Sequence, residues 1–272
     1  MSLPSKSVLV TGADGFIGSR LVSALRALGY VVLTHSRRQG DIRDCHLSFE
    51  GVGHVFHLAA RTFVPDSWAA PLSFYEANLL GTVNVLEFCR AQAASVTLMS
   101  SYVYGPPERL PISEIEPLRA FNYQQQFGVP VTIVRPFNIY GPGQDRRFLI
   151  PTILTQAVDP GQEAIVVADL RPRRDYLFVT DLVDLLTRTA FRKEGGIFNA
   201  GSGASWSVGD VIALVNGLLP APKPVRVEGL VRPAEVNDVI ADISRARLEF
   251  GWGPRVTLRD GLSDTLAWIR GA

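Results

Sequence analysis

At 272 residues with a formal net charge of +1, the chain can bury a full core but lacks the basic surplus that nucleic acid requires. Its hydrophobic fraction of 47% and its 18 prolines describe a compact α/β protein rather than a disordered one. No run approaches the roughly 18 uninterrupted apolar residues of a membrane helix, so no membrane partner is expected.

The opening MSLPSK is too short and polar for a signal peptide, and Cys45 and Cys89 form no C-x-x-C pair. Two reduced thiols in a cytoplasmic protein are the expectation. The four histidines, His35, His46, His54 and His57, show no metal-ligand spacing, so no metal site is expected. His54 and His57 flank a strand and read as structural.

Ser7–Gly12 is a β-branched run ending in glycine, the pattern of a buried parallel strand. A helix follows, with Ile17, Leu21, Leu25 and Leu28 at helical spacing and Gly29 as its stop. Further strands are expected at Val31–Ser36, His54–Ala60, Ser95–Ser101 and Val129–Pro136, with a helix through NLLGTVNVLEFCRAQ between the middle pair. Strands alternating with helices predict a Rossmann-type, doubly wound parallel sheet in an α/β fold. From Gly141 the elements become shorter and are punctuated by proline and arginine. We therefore expect a nucleotide-binding domain over residues 1–139, with elements near 175–200 returning to it. Residues 140–272 would form mainly a smaller substrate-binding domain.

The turn T-G-A-D-G-F-I-G holds the first candidate site: Gly12, Gly15, Phe16, Ile17 and Gly18. A strand-to-helix turn built on these glycines lets a pyrophosphate approach without a Cβ in the way, and the helix start offers free N–H groups to it. The residue that selects the adenosine ribose should end the second strand. NAD enzymes place Asp or Glu there, whereas this chain offers Thr34, His35, Ser36, Arg37 and Arg38. Two arginines suit a 2′-phosphate, which favours NADP over NAD as cofactor.

Beyond the glycine turn come DIRD (Asp41–Asp44), HLAA (His57–Ala60), N-x-x-G-T (Asn78–Thr82), SSYVYG (Ser100–Gly105), RPFNIYGPGQ (Arg135–Gln144), RRDY (Arg173–Tyr176) and RPAE (Arg232–Glu235). Together they resemble an extended short-chain dehydrogenase/reductase of the nucleotide-sugar epimerase/dehydratase/reductase branch, over about Val8 to Leu262. The resemblance implies an NAD(P)-dependent enzyme acting at C4 of a nucleotide-diphosphate sugar, an epimerase first and a 4-ketoreductase next. A dehydratase ranks third, because Tyr102–Val103 stand where that branch carries an Asp-Glu pair. It also implies that Asp41, Ile42, Leu58, Ala59, Ala60, Asn78, Pro136 and Phe137 border the cofactor. Ser100, with Ser101 as runner-up, becomes the catalytic hydroxyl. Asn138, Arg174, Arg232 and Glu235 become substrate residues, and a homodimer the expected assembly. Arginines at RRDY and RPAE suit a diphosphate, since a planar guanidinium can clamp it through paired hydrogen bonds; the alternative is salt bridging to Asp175 or Glu235.

The same resemblance calls for Tyr-x-x-x-Lys, in which the lysine lowers the phenol pKa for proton exchange. The lysines are Lys6, Lys193 and Lys223, and none stands four residues after a tyrosine. Residues 105–117 carry four prolines, so they cannot supply the helix that a parallel crossover needs. We expect about fifteen further residues, a crossover helix, between Asn122 and Tyr123 in the intact protein. The alternative is a true deletion, leaving an inactive NAD(P)-binding sensor or scaffold.

Overall fold

A computed structural model describes residues 7–44, 47–101, 110–112, 114, 128–230 and 236–271. In chain order its elements are β1 (Ser7–Thr11), α1 (Gly18–Ala27), β2 (Val31–His35), β3 (His54–His57), α2 (Val64–Ala69), α3 (Pro71–Tyr75), a π-helical turn (Glu76–Leu80) and α4 (Gly81–Gln92). Then come β4 (Ser95–Met99), β5 (Val131–Pro136), β6 (Asn138–Tyr140), α5 (Leu149–Val158), β7 (Ile165–Val167), β8 (Arg173–Phe178), α6 (Val179–Arg188) and β9 (Gly196–Ala200). The remainder is β10 (Ser205–Ser207), α7 (Val208–Asn216), β11 (Val225–Val227), α8 (Ser244–Phe250) and α9 (Leu258–Gly271).

The chain folds as two compact units. The first comprises Met1–Ser100, Arg119–Arg135 and Val183–Phe198; the second comprises Ser101–Leu118, Pro136–Leu182 and Asn199–Ala272. The main sheet has the order β2-β1-β3-β4-β5-β9. Its pairs β1–β2, β1–β3, β3–β4 and β4–β5 are parallel, and β1 is buried along its whole length. This is the Rossmann-like α/β arrangement that the alternation of strands and helices predicts. From β1 the chain steps to β2 on one side and then returns to β3 on the other. The sheet therefore reverses direction at β1–β3, and the crevice at the carboxyl ends of those strands is where open α/β sheets hold ligands.

In the first unit Leu9, Val55, Val85, Leu86 and Val96 form the centre of an apolar core. Helix α1 buries Leu21, Val22 and Leu25 on one face, and its chain turns at Gly29 with φ +81°. In the second unit, three-stranded β10-β8-β6 and two-stranded β11-β7 surround a separate core of Tyr140, Ile153, Leu154, Val211 and Leu262. Several strands stop short of the expected ends. β3 ends at His57, beyond which the Leu58 amide is shared between the Thr11 carbonyl and hydroxyl and the Ala59 amide turns to the hydroxyl, and α4 begins only at Gly81 because a π-helical turn precedes it.

Candidate functional site

The glycine turn lies at the carboxyl end of β1, against the start of the loop after β3. Gly12 has φ +68°, and a Cβ there would stand 2.8 Å from the Ala59 nitrogen and 2.9 Å from the Leu58 carbonyl carbon. A Cβ on Gly18 would run into the Gly12 carbonyl. The turn closes through Gly15 N–H donating to Gly12 O at 3.0 Å. Helix α1 has no side-chain cap and no acidic residue in its first turn, so its opening amides meet no competing carboxylate there. Backbone with no Cβ at these positions can approach an anionic group beside the helix start closely, and the residues present fit a dinucleotide pyrophosphate. Phe16 is held by Arg20, whose guanidinium donates to Phe16 O at 2.8 Å and lies 5.0 Å above the ring.

At the end of β2, His35 and Ser36 are buried while Arg37 and Arg38 are exposed. Arg38 reaches Asp14 of the glycine turn at 3.5 Å, a loose pair between exposed groups. Ser36 donates from both its amide and its hydroxyl to Gln39 Oε1, at 2.8 and 2.7 Å. Burial holds the His35 pKa below its usual value, and Asp41 partly opposes that shift. Asp41 itself takes a forked pair from Arg43, whose other nitrogen reaches Glu76 at 2.7 Å. These bonds keep Asp41 below the usual carboxylate range. Ile42 is buried, and Gly81 is the reason it can be: a Cβ at that position would lie 2.7 Å from the isoleucine methyl. Asn84 fixes the same turn by donating to the carbonyls of Ile42 and Arg43.

A relay of hydrogen bonds running from the buried Thr11–His57 pair out to the exposed Asn78 positions Leu58, Ala59 and Asn78. The amides of Leu58 and Ala59 donate to Thr11 Oγ1, each at 3.3 Å. Thr11 Oγ1 meets His57 Nδ1 at 2.8 Å, and His57 Nε2 meets Thr82 Oγ1 at 3.1 Å. The Thr82 hydroxyl proton goes to Asn78 O at 2.6 Å. Thr82 must therefore accept from His57, which places a proton on Nε2 and suits a neutral imidazole whose Nδ1 accepts from Thr11. Burial agrees, pulling the His57 pKa down to about 4. Asn78 closes the motif by exchanging two hydrogen bonds with the Arg61 backbone. The residues of HLAA and N-x-x-G-T thus act as a frame for the loop under the glycine turn, a role that spacing alone did not expose. Ala60, the last of the HLAA residues, is exposed beside that loop.

Ser100 follows β4 directly. Its amide donates to Val134 O at 2.8 Å, which holds the residue at the strand's carboxyl end with an exposed side chain. Ser101 is also exposed and begins a stretch of the second unit.

In the second unit Phe137 is buried, with its amide donating to Ala200 O at 2.9 Å. Pro136 is buried as well, and Asn138 donates to the Asp175 carbonyl at 3.1 Å. Arg174 donates to the backbone carbonyls of Arg173 and Val236, at 2.8 and 2.7 Å. The salt-bridge alternative for Asp175 is not what its carboxylate does. Fully buried, it accepts from Ser202 N, Ser202 Oγ, Gly203 N and Ala241 N at 2.6–3.0 Å. Desolvation nevertheless raises its pKa. Arg232 and Glu235 lie outside the described residues. The cofactor candidates Gly12 to Asn78 and Ser100 therefore share the first unit, while Pro136, Phe137, Asn138 and Arg174 belong to the second.

The expected insertion between Asn122 and Tyr123 is absent. The sequence runs directly from one to the other, and this chain has no Tyr-x-x-x-Lys motif. Both residues lie outside the described ones. Lys223 is a structural cation instead: its ammonium donates to the carbonyls of Gln156, Asp159 and Gln162 at 2.5–2.9 Å, where α5 ends.

A parallel sheet reversing at β1–β3, with a glycine turn whose backbone admits no Cβ at the reversal, defines a Rossmann-type dinucleotide-binding protein. The family described as NAD dependent epimerase/dehydratase matches residues 8–201. UDP-glucose 4-epimerase of Mycolicibacterium smegmatis is 30% identical over 311 aligned positions, covering 96% of this chain and 98% of that protein. GDP-6-deoxy-D-mannose reductase of Pseudomonas aeruginosa is 29% identical, covering 97% of each chain. Among solved structures, MoeE5 in complex with UDP-glucuronic acid and NAD matches with a TM-score of 0.88 at 29% identity, over 97% of this chain and 99% of that one. The chain belongs to the NAD-dependent epimerase/dehydratase family, a family of enzymes, as the resemblance carried by its motifs implies. The 311 aligned positions exceed the 272 residues present, so part of the mycobacterial relative has no counterpart here.

Proposed function

We propose that this protein binds NAD(P) on the glycine turn and modifies a nucleotide-diphosphate sugar at C4 through a 4-keto species, as an epimerase. The observation that carries the reading is the pyrophosphate cradle of Gly12, Gly15 and Gly18 against Leu58 and Ala59, in a chain with epimerases among its relatives. Phe16, Ile17, Asp41, Ile42, Ala60, Asn78, Pro136 and Phe137 would border the cofactor. When bound, the nicotinamide would exchange a hydride at C4, and the C4 hydroxyl proton would pass to and from water at the exposed Ser100. Ser100, or Ser101 beside it, would hold the C4 oxygen through a hydrogen bond as its carbonyl develops. Residues from 140 onward would form mainly the substrate-binding domain. There Arg174 and Arg232 would face the diphosphate, and Asn138 and Glu235 the rest of the sugar nucleotide. We assign NADP as the preferred cofactor, because no carboxylate ends β2 and Arg37 and Arg38 lie exposed beside Ser36. That preference would equally suit a 4-ketoreductase using NADPH.

A homodimer is supported by Trp68, Leu72, Tyr75, Leu79 and Leu80, large apolar side chains left exposed within one short stretch. A second reading rests on the missing Tyr-x-x-x-Lys: a protein that binds cofactor and sugar nucleotide without turning them over. Incubation with NAD(P)+ and UDP-, GDP- or dTDP-hexoses, followed at 340 nm and by epimer analysis, separates the two. Turnover of any sugar supports the epimerase reading. Tight binding of cofactor with no turnover across the set establishes the second.

A further inference from the structure

We infer that Gln39 is a resident occupant of the ribose-selecting subsite, and that it discriminates between a 2′-phosphate and a 2′-hydroxyl. This rests on the cofactor reading above. The subsite lies at the end of β2, where Ser36 is buried and turns two donors, its amide and its hydroxyl, onto one oxygen, Gln39 Oε1. The carboxamide orientation is fixed by its other end, since Nε2 donates to Thr34 O at 3.4 Å. The loop is closed further by Gln39 N–H donating to Ser36 O at 3.0 Å. One residue earlier on the strand, His35 Nε2 is buried and meets no partner among the described residues.

Two converging donors on one oxygen are what a phosphate oxygen would also find. The competition then depends on charge. A ribose hydroxyl that displaced Gln39 would exchange one neutral acceptor for another, with almost nothing gained. A phosphate oxygen would replace the neutral amide with a charge-assisted acceptor, and such bonds are roughly twice as strong. Arg37 and Arg38 reinforce the difference, because both are exposed and Arg38 is only loosely engaged with Asp14. Gln39 thus occupies a subsite that NADP opens and NAD leaves closed.

Calorimetric titration of the full chain with NADP+ and with NAD+ tests this. Gln39→Ala frees both donors, so NADP+ binding should tighten about three- to tenfold and NAD+ binding by a smaller factor, because a phosphate oxygen makes the stronger bonds to them. Gln39→Glu places a carboxylate on the same donors and should weaken NADP+ at least about tenfold, with NAD+ nearly unchanged. Retained NAD+ binding shows that both variants fold. Weaker NADP+ binding by Gln39→Ala, or equal shifts for both cofactors, overturns the role of Gln39. A wild-type chain that prefers NAD+ overturns the NADP assignment instead, and the variant ratios then judge Gln39 separately.

Discussion

Buried polarity is handled differently on β1, β3 and β4 of the first unit and on β8 of the second. The first threads neutral groups through its sheet: Thr11, His54, His57, Ser95 and Thr97 are all buried on β1, β3 and β4. His54 repeats the logic of His57. It accepts from the Phe191 amide on Nδ1 and faces Thr97 Oγ1 through Nε2. Thr97 in turn meets Thr189, whose own proton goes to Leu186 O. Following the protons back leaves His54 neutral with its proton on Nε2. The second unit instead buries a carboxylate, Asp175, and satisfies it with three amides and a hydroxyl. A neutral relay tolerates the loss of one member better than a buried charge does, and the two respond to acid with opposite sign.

The largest expected effects test each solution at its centre. Gly18→Val forces a side chain into the Gly12 carbonyl and should weaken NAD(P)+ binding at least 100-fold, about 3 kcal/mol, in a titration; retained affinity would remove the glycine turn from the site. Asp175→Ala strips the acceptor from buried donors and should cost about 3 kcal/mol in urea unfolding, whereas a loss below about 1 kcal/mol would mean that water replaces it.

The pH dependence comes next. Burial depresses His54 to about 3 and His57 to about 4, so both stay neutral in the folded state. Their contribution is present above the unfolded histidine value near 6.5 and is lost as pH falls through the window down to those values. Between pH 7 and pH 5 each should cost about 2 kcal/mol of stability. The raised Asp175 acts the other way, since its native state gains protons first as pH falls. Hydrogen exchange at pH 5 should therefore show β3 and β4 loosened more than β8, and uniform loosening would erase the distinction. The smallest effect is expected for Lys223→Met, about 1 kcal/mol from the lost hydrogen bonds to the carbonyls where α5 ends.

The strand–turn–helix around Gly12 was legible in the residues because glycine spacing, a β-branched run and a helical apolar stripe are all local signals. Ser36, Arg37 and Arg38 could be placed at the end of β2 for the same reason. Gln39 could not be read as their partner, since a glutamine in a polar loop carries no periodic signal. Gly81 looked like part of a motif, and only its approach to Ile42, 39 positions earlier in the chain, gives the glycine its reason. Salt bridging of Arg174 to Asp175 was only the alternative reading, and it fails at Asp175 because β8 turns alternate side chains to opposite faces and the carboxylate went inward.

What the amino-acid order by itself determined is the class of fold and the location of the pyrophosphate turn. Each depends on residues a few positions apart. Which groups are buried together, which tautomer each histidine holds and which oxygen Ser36 already donates to were decided only by the tertiary structure. Those properties depend on pairs far apart in sequence, such as Thr11 with His57 and Asp175 with Ala241, whose burial makes every unsatisfied donor costly.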